Sequence, residues 1–363
     1  MFTPRRSRLS DPQEARRPSA GQAEMENDSD DERDDICFEA RTDDARRITS
    51  ILSSICVATS RKADSSASLA WCEVSDTGLT FTVNVSKTLQ AIAYVKRKGV
   101  FHTWELAMPH RGEVPDERLE FGINLATLLE CLKIFGGAAA PNAFERSQTA
   151  LHISFREGTR CLCLQLNEKA SVTECEIHSL EIDQPHKTEL KVREGERPPA
   201  RLVVSSDALK NGIDELEWGG EASRDKRVLL RVSAPSASGP GGLSLTVSST
   251  DVGCEMVYPP EALVSFDVRQ DLSFEYRFLH MHMALRSLRD SHQTLLQLDE
   301  NGTLEIKLRF ASSAAANAAE LFSHFFLFPL TDEDDIDDED ATASKAAGGG
   351  GGGGARDQFD AFD

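Results

Sequence analysis

The sequence predicts an α+β fold made of two similar halves, each with two helices on one face of antiparallel strands. Three observations predict it: a domain-sized internal repeat, a helix with a clean apolar face, and a charged segment between the halves. The motif Gly-Leu-polar-apolar-Thr-Val stands at Gly78-Leu-Thr-Phe-Thr-Val83 and returns 164 residues later at Gly242-Leu-Ser-Leu-Thr-Val247. A repeat of that period marks a duplicated domain. In the first half the motif follows strand Ile36–Ala40, helix Asp43–Val57 and strand Leu69–Val74; in the second it follows Arg201–Ser205, Ser206–Leu216 and Val228–Ser233.

Later elements correspond as well. Phe121–Gly136 and Phe274–Asp290 each read as a strand entering a helix. Paired strands follow: Leu151–Arg156, Arg160–Asn167 and Val172–Leu180 in one half, Thr294–Asp299, Thr303–Phe310 and Leu321–Phe328 in the other. Asn301-Gly302 is a hairpin signal. Within the first strand–helix unit, Leu125, Leu128, Leu129 and Leu132 fall at i, i+3, i+4 and i+7, with Asn124 as N-cap acceptor and Gly136-Gly137 as a stop. Periodicity alone is met equally by a surface helix covering a sheet.

At 363 residues and 40% apolar content the chain has room for two real cores. Residues 1–35 and 331–363 lack apolar periodicity and read as disordered tails, the second carrying the run Asp332 to Asp340 and seven consecutive glycines. The folded part divides into residues 36–180, a connector at 181–200 ending in Pro198-Pro199, and 201–330. Of the net charge of −20, the tails hold −13 and the core −7. An acidic body is compatible with DNA binding when a few cations are placed on the surface that meets phosphates.

Eight cysteines without a Cys-x-x-Cys pair, and no apolar leader, point to a reducing intracellular compartment. Cys161 and Cys163 share one strand face, where buried thiols are commoner than metal ligands. The longest apolar stretch, Leu321 to Leu330, is too short to cross a bilayer, so no membrane is expected. The pairs Arg5-Arg6 and Arg16-Arg17 suit nuclear import or a plain basic tail.

Phe121-Gly-Ile-Asn-Leu and its continuation Leu129-Glu-Cys-Leu-Lys-Ile-Phe-Gly136 resemble the DNA sliding clamps, the family of proliferating cell nuclear antigen. Within it the likeness is to checkpoint clamp subunits of the nine-one-one type. Glu176-Ile-His-Ser-Leu-Glu-Ile-Asp183 and the closing strand Phe325-Phe-Leu-Phe-Pro329 carry the same resemblance. It implies a DNA clamp fold with inward helices bearing Arg46, Arg47, Lys133, Lys210, Arg286 and Arg289 toward double-stranded DNA, read without sequence preference. Glu130 stands where the replicative clamp carries a lysine. A client-peptide pocket is implied at Ile182, Leu190, Phe325, Phe326 and Pro329, although simple core packing explains aromatics of this kind equally well.

The implied partners are two other checkpoint clamp subunits, a clamp loader of the replication-factor-C type and repair enzymes, all in the nucleus. No cofactor, metal or catalytic residue is implied, and the chain is expected not to be an enzyme. Two alternatives compete: a homotrimeric replicative processivity clamp, and a metal-dependent 3′–5′ exonuclease. The nuclease would draw on Glu181, Asp183, Asp214, Glu215 and the Asp332 to Asp340 run, which the sequence does not converge. His280 and His282, two apart on a helix, lie on different faces, and the Gly348–Gly354 tract lacks the Lys-Ser/Thr of a phosphate-binding loop. Assembly is expected through an edge near Arg97–Leu106 meeting Val228–Ser233 or its neighbour in the next subunit.

Overall fold

The computed structural model describes residues 35–56, 69–107, 118–134, 149–192, 195–217, 226–248, 253–288, 291–310 and 321–331, except positions 86, 170, 238 and 287. Apart from Asp35 and Thr331, the tails read from the sequence lie outside these residues, as does Val57. The first half runs β1 (Ile36–Thr42), α1 (Ala45–Ile55), β2 (Leu69–Ser75), β3 (Gly78–Val85), β4 (Leu89–Lys96), β5 (Thr103–Leu106), β6 (Leu119–Asn124), α2 (Leu125–Leu132), β7 (Ala150–Arg156), β8 (Cys161–Glu168) and β9 (Ser171–His178). The second runs β10 (Ala200–Ser205), α3 (Ser206–Leu216), β11 (Arg227–Ser233), β12 (Gly242–Ser248), β13 (Gly253–Tyr258), β14 (Ser265–Val268), β15 (Leu272–Arg277), α4 (Phe278–Leu285), β16 (Ser291–Leu298), β17 (Leu304–Phe310) and β18 (Leu321–Leu327). Helices and strands follow the same order in both.

Local chemistry accounts for the helices. In α1, Ile48, Ile51, Leu52 and Ile55 are buried at i, i+3, i+4 and i+7, and the helix packs on β4 and β18. In α2 the Thr127 N–H donates to Asn124 Oδ1 at 3.0 Å, the expected cap, and the four leucines are buried. This helix stops at Leu132, with Lys133 as its C-cap, a turn short of Gly136. At the β16–β17 hairpin, Asp299 Oδ1 accepts from the backbone N–H of Asn301 and Thr303, and Gly302 takes φ +84°.

Pairing repeats with the elements. The first half forms the orders β5-β1-β7-β8-β9 and β4-β3-β2-β6; the second forms β14-β10-β16-β17-β18 and β13-β12-β11-β15. β18 pairs antiparallel with β4, from Phe322 opposite Tyr94 to Leu327 opposite Leu89, and fuses one sheet of each half into a nine-stranded sheet. By the repeat, β9 corresponds to β18 and β13 to β4. Among the described residues those two strands have one partner each, β8 and β12.

Of the expected assembly edge, near Val228–Ser233 or its neighbour, the pairings leave the neighbour: β15, beside β11, is the last strand of its sheet. β11, which contains Val228–Ser233, is hydrogen-bonded on both sides by β12 and β15 and offers no edge. β5 is an edge strand beside β1, but of Arg97–Leu106 only Thr103–Leu106 is strand. A sequence shows which residues are extended, whereas edge position depends on pairings between remote strands.

Gly122 shows why the Gly-Ile-Asn-Leu step needs its glycine. The start of the connector crosses β6 there, with Gly122 N–H donating to Leu180 O at 3.2 Å and Leu180 N–H to Gly122 O at 2.8 Å. A Cβ at this position would lie 2.6 Å from Ile182 Cγ1 and 2.6 Å from Leu180 O. Gly122→Ala therefore forces the connector off β6, and overpacking of this kind costs about 1–3 kcal/mol. Thermal unfolding should show a lower Tm, and increased protease cleavage near Leu180.

Candidate nucleic-acid interface

The four helices form one layer. α1 packs against α2, and α3 against α4. Across the β4–β18 junction, Ser50, Ser53, Ser54 and Cys56 at α1 and Met283 and Arg286 at α4 enclose a cavity of about 160 Å³ over Leu89, Ala91 and Phe325. Thr88, in the β3–β4 turn, hydrogen-bonds His280 of α4 at 2.9 Å, tying the halves a second time. Burial, reinforced by Arg277, pushes the His280 pKa down to about 4, so the ring is neutral at pH 7.

Charge is uneven along this layer. Arg46 and Arg47 stand half-buried on the outer turn of α1, Arg47 Nη1 donating to Gly99 O at 3.3 Å. Lys133 at the end of α2 and Arg286 at the end of α4 are exposed, and both act on Cys56 at the end of α1. Burial raises that thiol's pKa while the two cations oppose it. Three helix C-termini thus meet beside two cations, an arrangement that also satisfies helix dipoles. On α3, by contrast, Lys210 is bound to Asp214 at i+4, and Asp207 and Glu215 are exposed beside it. Glu130 is exposed on α2. Arg289 lies outside the described residues.

The opposite, outer face of the nine-stranded sheet carries the connector. It begins over Gly122 on β6, is held over β2 by Lys187 Nζ to Glu73 Oε1 at 2.9 Å, and ends with Lys191 N–H donating to Asp299 Oδ2 at 3.1 Å. Midway, buried Gln90 of β4 donates to His186 O at 2.8 Å and accepts from Thr188 N–H at 3.1 Å. Beneath the connector is a groove of about 370 Å³ to which Leu190 and Phe326 both contribute.

The structure brings only those two of the five pocket residues together. Ile182 sits at the far end, against Gly122. Phe325 points through the sheet to the helix side, as strand alternation requires of a neighbour of Phe326. Pro329 follows β18 between Phe328, whose N–H donates to Thr88 O, and Leu330, whose N–H donates to Glu275 O. Gln90 and Glu73 are the anchors that sequence reasoning missed; each is a polar residue inside an otherwise apolar strand, the one available signal.

Of the acidic residues weighed for a nuclease, Glu181 and Asp183 are exposed on the connector and Asp214 and Glu215 on α3, while the Asp332 to Asp340 run lies outside the described residues. Among the described residues no three His, Cys, Asp or Glu side chains are grouped to hold a metal.

Duplicated sheets under one helix layer make the DNA-clamp fold. The fold matches the PCNA2–PCNA3 complex of Sulfolobus tokodaii (TM-score 0.57, 12% identity, 80% of this chain and 98% of that one) and the proliferating cellular nuclear antigen of Entamoeba histolytica (TM-score 0.59, 13% identity, 82% and 100%). The model of the family described as repair protein Rad1/Rec1/Rad17 matches residues 37–310, and the chain belongs to that family. It is 27% identical over 191 residues to the human cell cycle checkpoint protein RAD1 and 26% identical over 257 residues to the Schizosaccharomyces pombe DNA damage checkpoint control protein rad1. These alignments cover 53% and 65% of this chain; they span 59% of the human protein's length and 72% of the yeast protein's.

The connector anchor has a direct test. Gln90→Leu removes both backbone contacts, worth about 1–2 kcal/mol of local docking. Limited proteolysis within 181–192 should accelerate several-fold while the global Tm changes little, because the sheet beneath keeps its packing.

Proposed function

We propose that this chain is one subunit of a heterotrimeric DNA sliding clamp acting in DNA-damage checkpoint signalling and repair in the nucleus. The observation that carries the reading is the β4–β18 seam together with its two unpaired equivalents. The same pairing, made between β9 of one subunit and a β13-like strand of the next, continues the sheets from chain to chain. Val172 on β9 and Val257 on β13 are 59% and 61% exposed, as residues awaiting a partner strand would be. In this reading residues 36–180 and 201–330 are two clamp domains joined by the 181–200 connector.

The edges also favour unlike partners. β9 carries Glu174 and Glu176, and β13 carries Glu255. Closing the ring with three identical chains would bring acidic edges together, and like charges opposite one another destabilise a strand pair. The homotrimeric replicative clamp is therefore the weaker reading. Two partner clamp subunits, a loader of the replication-factor-C type and repair enzymes complete the proposal, supported by the checkpoint names of the relatives. The separation of the core carboxylates supports a non-enzymatic role over an exonuclease.

Within the ring the helix layer faces duplex DNA. Arg46, Arg47, Lys133 and Arg286 supply the phosphate contacts, and Lys210, neutralised by Asp214, contributes little. Arg289 belongs to the same proposal by its place in the sequence. Arg46→Ala with Arg47→Ala in the assembled ring should lower affinity for duplexes of any sequence and flatten log K against log salt by about 2, near 0.9 per phosphate contact. An unchanged slope would remove these arginines from the DNA-facing surface.

A further inference from the structure

The outer face of the nine-stranded sheet holds a second cleft, which adjoins the connector groove at Tyr94, Lys307 and His324 and extends toward the Phe322 end of β18. Its volume is about 710 Å³. Two cross-strand rows build it. One runs Val203, Leu295, Lys307, His324; the other runs Gln293, Arg309, Phe322, Tyr94. Lys96 and Arg201 complete the rim. Strands from both halves contribute, so the cleft exists only because β18 joins β4.

Its chemistry departs from the rest of the molecule. The chain carries a net charge of −20, yet four Lys or Arg side chains line this cleft and no Asp or Glu does. Lys307 is held at 2.8 Å by Glu305, which lies on the connector side. Burial, then Lys307, pushes the His324 pKa down to about 4, so with Lys307 paired to Glu305 the rim cations are Lys96, Arg201 and Arg309. Val203, Leu295 and Phe322 make an apolar floor between them. Lys96 already covers the Phe322 ring at 4.8 Å and His324 lies 4.9 Å from Tyr94, so the aromatic faces are not open platforms for stacked bases. An acidic peptide with apolar anchors fits better.

We propose that this cleft binds the chain's own segment Asp357-Gln-Phe-Asp-Ala-Phe-Asp363. That segment interleaves three aspartates with Phe359 and Phe362, two apolar anchors three residues apart among acids. Carboxylates meet the cationic rim and the rings meet the floor. About 25 residues separate it from Thr331, and at up to about 3.3 Å each their contour far exceeds the length of β18 that must be retraced. The nearer run Asp332 to Asp340 has eight acids but only Ile336 as an anchor, and it starts at the wrong end of β18, beside Leu330. The tethered segment holds the cleft against acidic partners until one displaces it.

The test uses the full chain throughout. A fluorescent peptide of residues 357–363 is titrated by anisotropy into the native chain and into the Phe359→Ala, Phe362→Ala variant, whose own segment has lost its anchors. The variant should bind the peptide about tenfold or more tightly than the native chain, since a tethered competitor acts at high effective concentration. Binding to the variant should weaken as salt rises and fall at least tenfold with Lys96→Glu or Arg201→Glu, each checked for an unchanged melting transition. Equal affinity for native chain and variant would overturn the proposal, as would no binding, or binding indifferent to both rim changes. A single-stranded oligonucleotide bound more tightly than the peptide would overturn it too, in favour of nucleic acid.

Discussion

The backbone pairing of β18 with β4 is the constraint on which the rest depends. It fuses one sheet of each half into a nine-stranded sheet and sets α1 and α4 side by side above it. The connector is then obliged to cross the outer face from β6 to the β16–β17 turn, because its ends belong to different halves. Thr88 and His280 reinforce the seam from the helix side, and Gln90 reinforces it from the connector side. A neutral His280 suits this role, since a charged ring would be costly in that buried place. Both candidate surfaces, the helix layer and the outer face, are consequences of one strand pair.

Charge follows the same division. The body is acidic, but cations gather where α1, α2 and α4 meet and in the outer cleft, while α3 presents Asp207, Asp214 and Glu215. Under the proposed clamp reading, a subunit charged in this way would add a weak, localised field to the DNA channel rather than a uniform positive lining. Partners with more basic helices would then supply more of the phosphate contacts. The same logic explains why unlike neighbours suit the acidic β9 and β13 edges.

Much of this was legible in the residues. The repeat of Gly78-Leu-Thr-Phe-Thr-Val83 at Gly242 located the halves, and the leucines and Asn124 located α2, because periodicity and caps are local. Gly122 was visible as a motif; its reason, the close approach of Ile182, is tertiary. The end of α2 at Leu132 escaped because its apolar run continues into Ile134; the split of Phe325 from Phe326 follows from strand alternation once β18 is recognised. Which strand forms the edge stayed open for a related reason: β11 is interior and β15 terminal through pairings that no local signal records. The outer cleft draws on strands spread from β3 to β18, so no window of sequence contains it.

The central claim is that β9 and β13 are the open counterparts of the internal seam, each facing a different neighbour. The most direct measurement is pairwise association of Val172→Asp and Val257→Asp with each partner clamp subunit, by light scattering of co-purified complexes. Both valines are exposed, so each variant should keep its melting transition. The account predicts that each variant loses one partner, a different one in each case, and keeps the other. Retention of both partners by both variants, or loss of the same partner by both, would contradict it.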